Sequence, residues 1–305
     1  MSDNDTTRRR FLQVAGGTAA VGLAGCSSNS DDQSAGSDDG ESMDNESMDD
    51  GSMTNESVDD GSTTNESMDD GMGEPATFTV RIENVAPTDF YSADAATGGQ
   101  VWITPGAYGV HTGSNPIFTE GAEASPGLEA IAEAGRPGGT GANGSLVGSL
   151  GGTSEVVSAG AWTPENTVMD PNDPMEEVPG APPIAPGGAF EFEVTAGPDQ
   201  HLSFATMFVP SNDLFFAPGA DGVPLFADGS PVEGDITDQI GLWDAGTEPN
   251  QQPGFGDVGA PLQQQNGGPD AGPDEGGVVR PIEAVEDGYE YPAVDSAIQV
   301  TVTPQ

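Results

Sequence analysis

Three stretches of this chain alternate apolar and polar residues with a period of two, and this alternation constrains the fold more than any other feature. Successive side chains of a β-strand point to opposite faces, so each stretch predicts a strand with one buried and one solvated face. The apolar members are Phe78, Val80 and Ile82, then Phe190, Phe192 and Val194, and finally Ile298, Val300 and Val302. A more continuous apolar run over 202–209 predicts a central strand, and weaker strand signals lie at 101–104 and 239–243.

One helix has clear start and stop signals. Ser125 can cap it, Pro126 suits its first turn and Gly135 can end it. Strands separated by long loops, with one short helix, predict an all-β fold, an antiparallel β-sandwich. The loops are predicted where glycine and proline concentrate, at 135–152, 164–188 and 249–278.

The charge of the chain is extreme. Its 305 residues include 51 acidic and 6 basic side chains, a formal net charge of −45, and every basic residue is an arginine. At low ionic strength this charge destabilises a compact state by self-repulsion, whereas molar salt shortens the Debye length to about 3 Å and screens it. We therefore expect a halophilic protein. The same charge argues against nucleic acid as a partner, because phosphate backbones bind to basic patches.

The first 25 residues have the pattern of an export signal. Arg8 and Arg9 precede Phe-Leu and an apolar run over 14–24, an order that resembles a twin-arginine signal. That run has 11 residues, too few to span about 30 Å of hydrocarbon as a helix. It runs into Leu-Ala-Gly-Cys, which resembles a lipobox with Cys26 as the acylated residue. The pattern predicts a mature chain that begins at Cys26 and is anchored by lipid to the outer face of the cell membrane.

Residues 26–75 predict a disordered acidic tether. The segment has no aromatic residue and repeats Asn-Glu-Ser-Met/Val-Asp-Asp-Gly every ten residues. It offers too little apolar surface to offset the entropy of ordering, and its like charges favour an extended chain. Each repeat opens with an N-glycosylation acceptor pattern, and a fourth such pattern lies in the domain that follows, at 76–305. The acceptor asparagines are Asn45, Asn55, Asn65 and Asn143.

Three carboxylates in the domain differ from the general acidic background. Asp213 follows one predicted strand and precedes Leu-Phe-Phe, while Asp244 and Glu248 follow another predicted strand. A carboxylate among apolar neighbours costs free energy unless it is paired or bound to a cation. An ion pair with an arginine is one solution, and a hard cation such as Ca²⁺, which takes oxygen ligands, is the other. The arginines available in the domain are Arg81, Arg136 and Arg280.

The sequence contains no recognisable catalytic motif. His111 and His201 are not spaced as in known zinc sites, and no GxSxG sequence is present. The stretch 139–144 fits GxGxxG, but it follows a predicted helix rather than a strand, which removes the nucleotide-binding context. We therefore expect a protein that is not an enzyme. A surface hydrolase with an unrecognised acid/base pair stays an alternative, because acidic pairs are too common here to single one out.

Short motifs resemble the spondin N-terminal domain family. They read SPGLEAIAE at 125–133, LSFATMFVPSND at 202–213 and WDAGTE at 243–248, in the order of the family and at roughly its separation. The resemblance covers most of 76–305. It implies a C2-like antiparallel β-sandwich with a calcium ion at one end.

The resemblance also assigns the calcium ligands, which carry over to Asp213, Asp244 and Glu248. Glu248 stands where the animal pattern has aspartate, and Leu214 and Phe215 stand where a tryptophan usually follows the first aspartate. The cysteines of animal members are absent, which leaves out disulfide bracing. These features together predict a lipid-anchored surface protein whose calcium-binding domain serves adhesion or binds an extracellular protein or glycan. A purely structural envelope lipoprotein is a further alternative.

Overall fold

The computed structural model describes residues 73–139, 144–169, 183–256 and 272–305. All of them belong to one compact unit, which spans Asn65–Gln305. The predicted signal at 1–25, nearly all of the predicted tether at 26–75, and the acceptor Asn143 lie outside the described residues.

Strands dominate the described residues, as the alternating patterns predict. Two α-helices are present there, α1 (Pro126–Ala134) and α2 (Leu146–Gly151), together with single 3-10 turns at Pro164–Asn166, Thr237–Gln239, Ile282–Ala284 and Val294–Ser296. The strands are β1 (Ala76–Asn84), β2 (Trp102–His111), β3 (Val156–Trp162), β4 (Thr167–Met169), β5 (Ala189–Ala196), β6 (His201–Val209), β7 (Leu214–Pro218), β8 (Val223–Pro224), β9 (Phe226–Ala227), β10 (Ser230–Pro231), β11 (Gly234–Asp235), β12 (Ile240–Asp244), β13 (Arg280–Pro281) and β14 (Ile298–Pro304).

The strands form two main antiparallel sheets. The smaller sheet has the order β11-β14-β1-β5-β4, and the larger has the order β13-β12-β7-β6-β2-β3 with β8 added beside β6. The three alternating runs become the neighbouring strands β14, β1 and β5, with Val80 opposite both Val302 and Phe192. Strands β9 and β10 pair separately. The predicted all-β sandwich is confirmed.

The main core lies between the two sheets. The side chains of Phe78, Val80 and Ile82 on β1 are fully buried, while the intervening residues are partly exposed. Phe192 of the smaller sheet stacks on Trp162 of the larger, with ring centroids 4.8 Å apart and ring planes 3° apart. Period-two alternation thus marks strands that bury one face only.

The larger sheet is buried on both faces at β2, β6 and β7, because the two helices pack on its outer side. Leu128 and Ile131 of α1 join Ala205, Phe215 and further residues of the sheet in a second buried cluster. Strand β6 is therefore buried almost throughout, and it lies inside the sheet between β7 and β2. This explains why 202–209 lacks alternation and confirms the predicted central strand.

Helix α1 has the predicted ends, whereas α2 lies within a stretch predicted to be loop. The Ser125 hydroxyl accepts a hydrogen bond from the backbone N–H of Leu128 at 3.2 Å, and Gly135 ends the helix with a φ of 61°. Ser145 caps α2 by accepting from the N–H of Gly148 at 3.1 Å. Helix α2 is stabilised chiefly by burial of its apolar side chains rather than by helix propensity, since two of its six residues are glycine. In the described part of the chain, no helix is both long and apolar enough to cross a membrane.

Candidate metal centre

Asp213 lies in the tight turn between β6 and β7. The Ser211 hydroxyl holds this turn, since it donates to the carbonyl of Phe208 at 2.6 Å and accepts from the N–H of Leu214 at 3.0 Å. The turn directs the Asp213 carboxylate into the interior, where none of its surface is exposed. A pattern of small polar residues after an apolar strand thus produces a buried acid.

The loop after β12 wraps around Asp213. The Oδ2 atom of Asp213 accepts hydrogen bonds from the backbone N–H groups of Thr247 at 3.0 Å and Glu248 at 3.2 Å. The same loop requires glycine at position 246, where φ is +68° and an added Cβ would lie 2.6 Å from the backbone nitrogen of Val278. The backbone therefore fixes one oxygen of Asp213 and leaves the other to face the rest of the site.

Asp244 is the last residue of β12, directly across from Leu214 on β7 and Arg280 on β13. Its carboxylate is fully buried. Oδ1 accepts from the N–H of Gly246 at 2.6 Å, and Oδ2 accepts from the Asn250 side chain at 2.7 Å and from Arg280 Nη2 at 3.0 Å. Both oxygens of Asp244 are thus held in defined positions.

Glu275 brings a third carboxylate to the site through Arg280. Nη2 of Arg280 also contacts Oε1 of Glu275 at 2.8 Å, so one nitrogen bridges Glu275 and Asp244. The backbone N–H of Glu275 donates to the carbonyl of Thr247 at 2.8 Å, which ties this segment to the loop around Asp213. One Asp213 oxygen (Oδ1) and one Glu275 oxygen (Oε2) are buried atoms without a hydrogen-bond partner in the described structure.

One ligand atom from each of Asp213, Asp244 and Glu275 lies within 4.8 Å of the other two. Burial raises the pKa of Asp213 well above its usual range, and the Asp244 charge raises it further against the opposing N–H groups of Glu248 and Thr247. Burial lowers the pKa of Arg280, but its hydrogen bonds to Glu275 and Asp244 outweigh this and raise it. The group contains three carboxylates and one guanidinium, which pairs with two of them, so the group can accept further positive charge. It could hold a metal ion.

The third predicted ligand, Glu248, lies beside this group rather than in it. Its Oε1 atom accepts a hydrogen bond from the backbone N–H of Gly272 at 2.8 Å, and its side chain is 2% exposed. It also lines an open cavity of about 310 Å³. The other acids lining that cavity are Glu123, Glu129, Glu133 and Asp274. A cation that approaches the group of three carboxylates therefore meets a strongly negative surface.

The structure thus unites two of the three predicted carboxylates and adds Glu275 and Arg280. The sequence offered Arg280 only as one of three arginines able to pair with an acid, and the structure selects it as the partner of Asp244. Glu275 carried no signal, because it lies in a glycine-rich stretch with no apolar neighbour on its N-terminal side. The antiparallel pairing of β12 with β13, together with the hydrogen bonds from the N–H groups of Glu275 and Gly277 to the loop after β12, brings that stretch to Asp244.

The two histidines lie at the other end of β6. His111 Nε2 is 2.8 Å from the Ser203 hydroxyl, and the His111 ring centroid is 6.1 Å from that of His201, the first residue of β6. The carboxylate group follows the last residue of that strand, roughly 26 Å away at 3.3 Å per residue. His111 and Ser203 are fully buried. The carboxylates therefore do not share a site with this histidine–serine pair.

Comparison with known proteins adds no assignment. No protein-family model matches the sequence, and no curated protein matches it significantly.

Proposed function

We propose that this chain is a lipid-anchored surface protein whose β-sandwich domain binds Ca²⁺ through Asp213, Asp244 and Glu275 and serves adhesion or ligand binding rather than catalysis. The observation that carries the proposal is the Oδ1 atom of Asp213. It is buried, has no hydrogen-bond partner in the described structure, and belongs to a carboxylate grouped with two others within 4.8 Å. A buried carboxylate oxygen left in this state is destabilising unless a cation or a proton satisfies it.

The donor set favours calcium over softer metals. The three side chains offer only carboxylate oxygens, and the described residues place no histidine among them. Hard cations such as Ca²⁺ take 6–8 oxygen ligands, whereas zinc prefers nitrogen and sulfur. With Arg280 paired to Asp244 and Glu275, the ionised group carries two uncompensated negative charges. A divalent cation would neutralise them.

The spondin-like motifs support the same proposal from the sequence. Asp213 and Asp244 occupy the positions that the resemblance assigns to calcium ligands. We assign the third position to Glu275 rather than to Glu248, on the basis of the grouping within 4.8 Å.

A calcium titration of thermal stability tests the site. The full chain is melted at constant molar NaCl with Ca²⁺ or with a calcium chelator, so that screening by monovalent salt is the same in both. Binding to the folded state alone stabilises it by about 2.7 kcal/mol at a hundredfold excess over the dissociation constant. We expect a higher melting temperature with Ca²⁺; an unchanged melting temperature would reject the calcium site.

Single substitutions identify the residues responsible for the calcium-dependent rise in melting temperature. Asp213→Asn and Glu275→Gln should remove most of the calcium-dependent rise, while Glu248→Gln should retain it. Asp199→Asn is the matched control, because it changes the same charge at an exposed turn before β6, at the opposite end of that strand. If Glu248→Gln loses the response and Glu275→Gln keeps it, the ligand set implied by the spondin resemblance replaces the one proposed here.

Lipid anchoring is tested separately, since Cys26 lies outside the described residues. Acylation supplies the apolar surface that so polar a chain needs for stable membrane association. We expect wild-type protein in the membrane fraction and Cys26→Ser in the soluble fraction. A Cys26→Ser variant that stays with the membrane would contradict the anchor.

Replacing Arg8 and Arg9 by lysine should block export, and normal surface display of that variant would contradict the twin-arginine signal.

A further inference from the structure

Arg136 stands apart from the other two arginines in the described structure. Arg81 pairs with Glu83 and Glu191, and Arg280 pairs with Asp244 and Glu275. Arg136 is exposed just beyond the end of helix α1 and forms no ion pair with any described residue. Between residues 76 and 305 there are 33 acidic side chains and three arginines. Arg136 is thus an arginine to which no acid of the described structure is paired, so its guanidinium can bind the anion of a ligand.

Arg136 lines a cavity of about 360 Å³ whose walls are mainly apolar. Four prolines form much of the lining, and the described residues that line it include no acid. The volume lies within the range of small-molecule pockets, which are largely apolar and carry a few polar groups that orient the ligand. The prolines are Pro105, Pro137, Pro164 and Pro183.

A bulge in strand β2 forms one wall of the cavity. The β2–β6 register shifts between Ile103 and Gly106, at the position of Pro105, which has no N–H to donate to the ladder. Side-chain hydrogen bonds replace the missing backbone bonds at this position. The Thr206 hydroxyl donates to the carbonyl of Thr104 at 2.7 Å, and the Thr104 hydroxyl accepts from the N–H of Met207 at 3.2 Å. The wall on this side is therefore fixed before any ligand arrives.

The other walls are fixed as well. Gly135 ends α1 against Thr104, and a Cβ on Gly135 would lie 2.5 Å from the Thr104 side chain. Ile184, next to Pro183, exchanges two backbone hydrogen bonds with Ile103, at 2.8 Å and 3.0 Å. A preformed cavity binds with little loss of conformational entropy. The arrangement combines a mainly apolar cavity, whose walls are held by hydrogen bonds, with a guanidinium that pairs with no acid of the described structure.

We infer that this cavity binds a small molecule with an apolar body and a single carboxylate, the body against the prolines and the carboxylate on Arg136. The guanidinium can form two parallel hydrogen bonds to a carboxylate. A purely apolar ligand would leave Arg136 unused, and a cationic one would be repelled by it. The site is independent of the calcium proposal, because it shares no residue with the carboxylate group.

Three naphthalene derivatives of closely similar shape test the inference with the full chain. They are 2-naphthoate, the neutral 2-naphthalenemethanol and the cationic 2-naphthylmethylamine, measured by equilibrium dialysis in molar NaCl. At this salt the Debye length is about 3 Å, so the bulk charge of the chain contributes little. We expect naphthoate to bind most tightly, the alcohol to bind more weakly in competition with it, and the amine to bind least. Chelator should leave all three affinities unchanged.

Arginine variants assign the carboxylate contact. Arg136→Gln should weaken naphthoate about tenfold or more, the loss expected for a charge-assisted hydrogen bond, and should change alcohol binding less than twofold. Arg81→Gln is the matched control and should bind all three probes as the wild type does. A contribution of Arg136 to the end of helix α1 alone would alter stability but not the difference between acid and alcohol. Failure of naphthoate to bind, lack of competition with the alcohol, or equal losses in both arginine variants would overturn the inference.

Discussion

The two oxygens of the Asp213 carboxylate have opposite surroundings. Its Oδ2 atom needs a negative or strongly accepting oxygen, because two backbone N–H groups point at it. Its Oδ1 atom is buried and has no hydrogen-bond partner in the described structure, and the carboxylate belongs to a group with those of Asp244 and Glu275. An asparagine with its oxygen in the place of Oδ2 would keep both backbone hydrogen bonds and put an NH₂ group where the unpartnered Oδ1 atom stands.

This geometry predicts the sign of a stability change. With chelator present, Asp213→Asn should raise the free energy of unfolding by about 1–3 kcal/mol, because it replaces an unsatisfied buried charge by a donor. Denaturant titration in molar NaCl measures the change, and Asp199→Asn should show none. A variant less stable than the wild type in chelator would show that the negative charge of Asp213 is already compensated without a cation.

His111 makes the fold sensitive to mild acid. Burial, followed by the nearby His201, lowers its pKa below the ordinary value of 6.5. The unfolded chain therefore takes up a proton at a higher pH than the folded chain does. The stabilisation is complete above about pH 6.5 and is lost as the pH falls from there through the lower folded pKa.

At constant salt, protonation of His111 should lower the free energy of unfolding as the pH falls from 7 toward 5, whereas protonation of Asp213, whose pKa is raised, acts in the opposite direction. The difference between the wild type and a variant without the His111 imidazole isolates the fall due to His111. Glutamine cannot take up this proton but can still hydrogen-bond the Ser203 hydroxyl, so His111→Gln should flatten the fall. His201→Gln is the control and should keep most of it. If His111→Gln leaves the profile unchanged, acids other than His111 account for the pH dependence.

At the scale of elements, strand β2 depends on a glycine beneath a tryptophan. An added Cβ on Gly106 would overlap the carbonyl of Ala205 and the ring of Trp162, which fills the space between the sheets. Gly106→Ala should therefore destabilise the fold by about 1–3 kcal/mol through overpacking. Gly109→Ala on the same strand is the control, since the nearest atoms to its Cβ would be those of Leu150 and Pro116, at an ordinary contact distance of 3.7 Å or more. Denaturant midpoints compare the two, and equal midpoints would contradict the packing argument.

The strands that the sequence predicts by alternation are those that bury one face. Strands β1, β5 and β14 show alternation because their outer sides meet solvent. Strand β2 was predicted only at its start, since Pro105 and two glycines interrupt its apolar pattern. Helix α2 was missed because its glycines match a loop composition while Leu146 and Leu150 alone carry its buried face. The local sequence pattern of α2 cannot indicate its helical structure, because the contacts that stabilise α2 form only when it packs on the larger sheet.

The residues of the candidate site likewise differ in whether the local sequence pattern predicts them. Asp213 and Asp244 could be predicted because each interrupts or ends an apolar strand, where an acid is conspicuous. Glu275 could not, because it reaches the group through the pairing of the two-residue strand β13 with the end of β12. Such a short strand leaves no periodicity in the sequence. The resemblance to spondin domains points to the two aspartates and not to Glu275.

For the whole molecule, stability should depend steeply on salt. Only four acids of the described structure form ion pairs with arginine, namely Glu83, Glu191, Asp244 and Glu275. Most of the remaining negative charge is balanced by solvent ions alone. With chelator present, we expect the unfolding midpoint to rise strongly between about 0.1 M and 1 M NaCl, as the Debye length falls from about 10 Å to 3 Å. Sucrose at equal osmolality is the control, and an equal rise in sucrose would indicate solute exclusion rather than screening.

The positions of the arginines also determine where a trypsin-like protease could cleave the domain. A protease that cuts after lysine or arginine finds three such residues beyond position 75, and proline follows both Arg136 and Arg280, which blocks cleavage there. The third bond, Arg81–Ile82, lies in the middle of β1, hydrogen-bonded between β14 and β5. Proteolysis needs an extended, accessible segment, which a central strand does not offer. The folded domain should therefore survive trypsin-like enzymes whole, and any cut after Arg81 would report that the smaller sheet has opened.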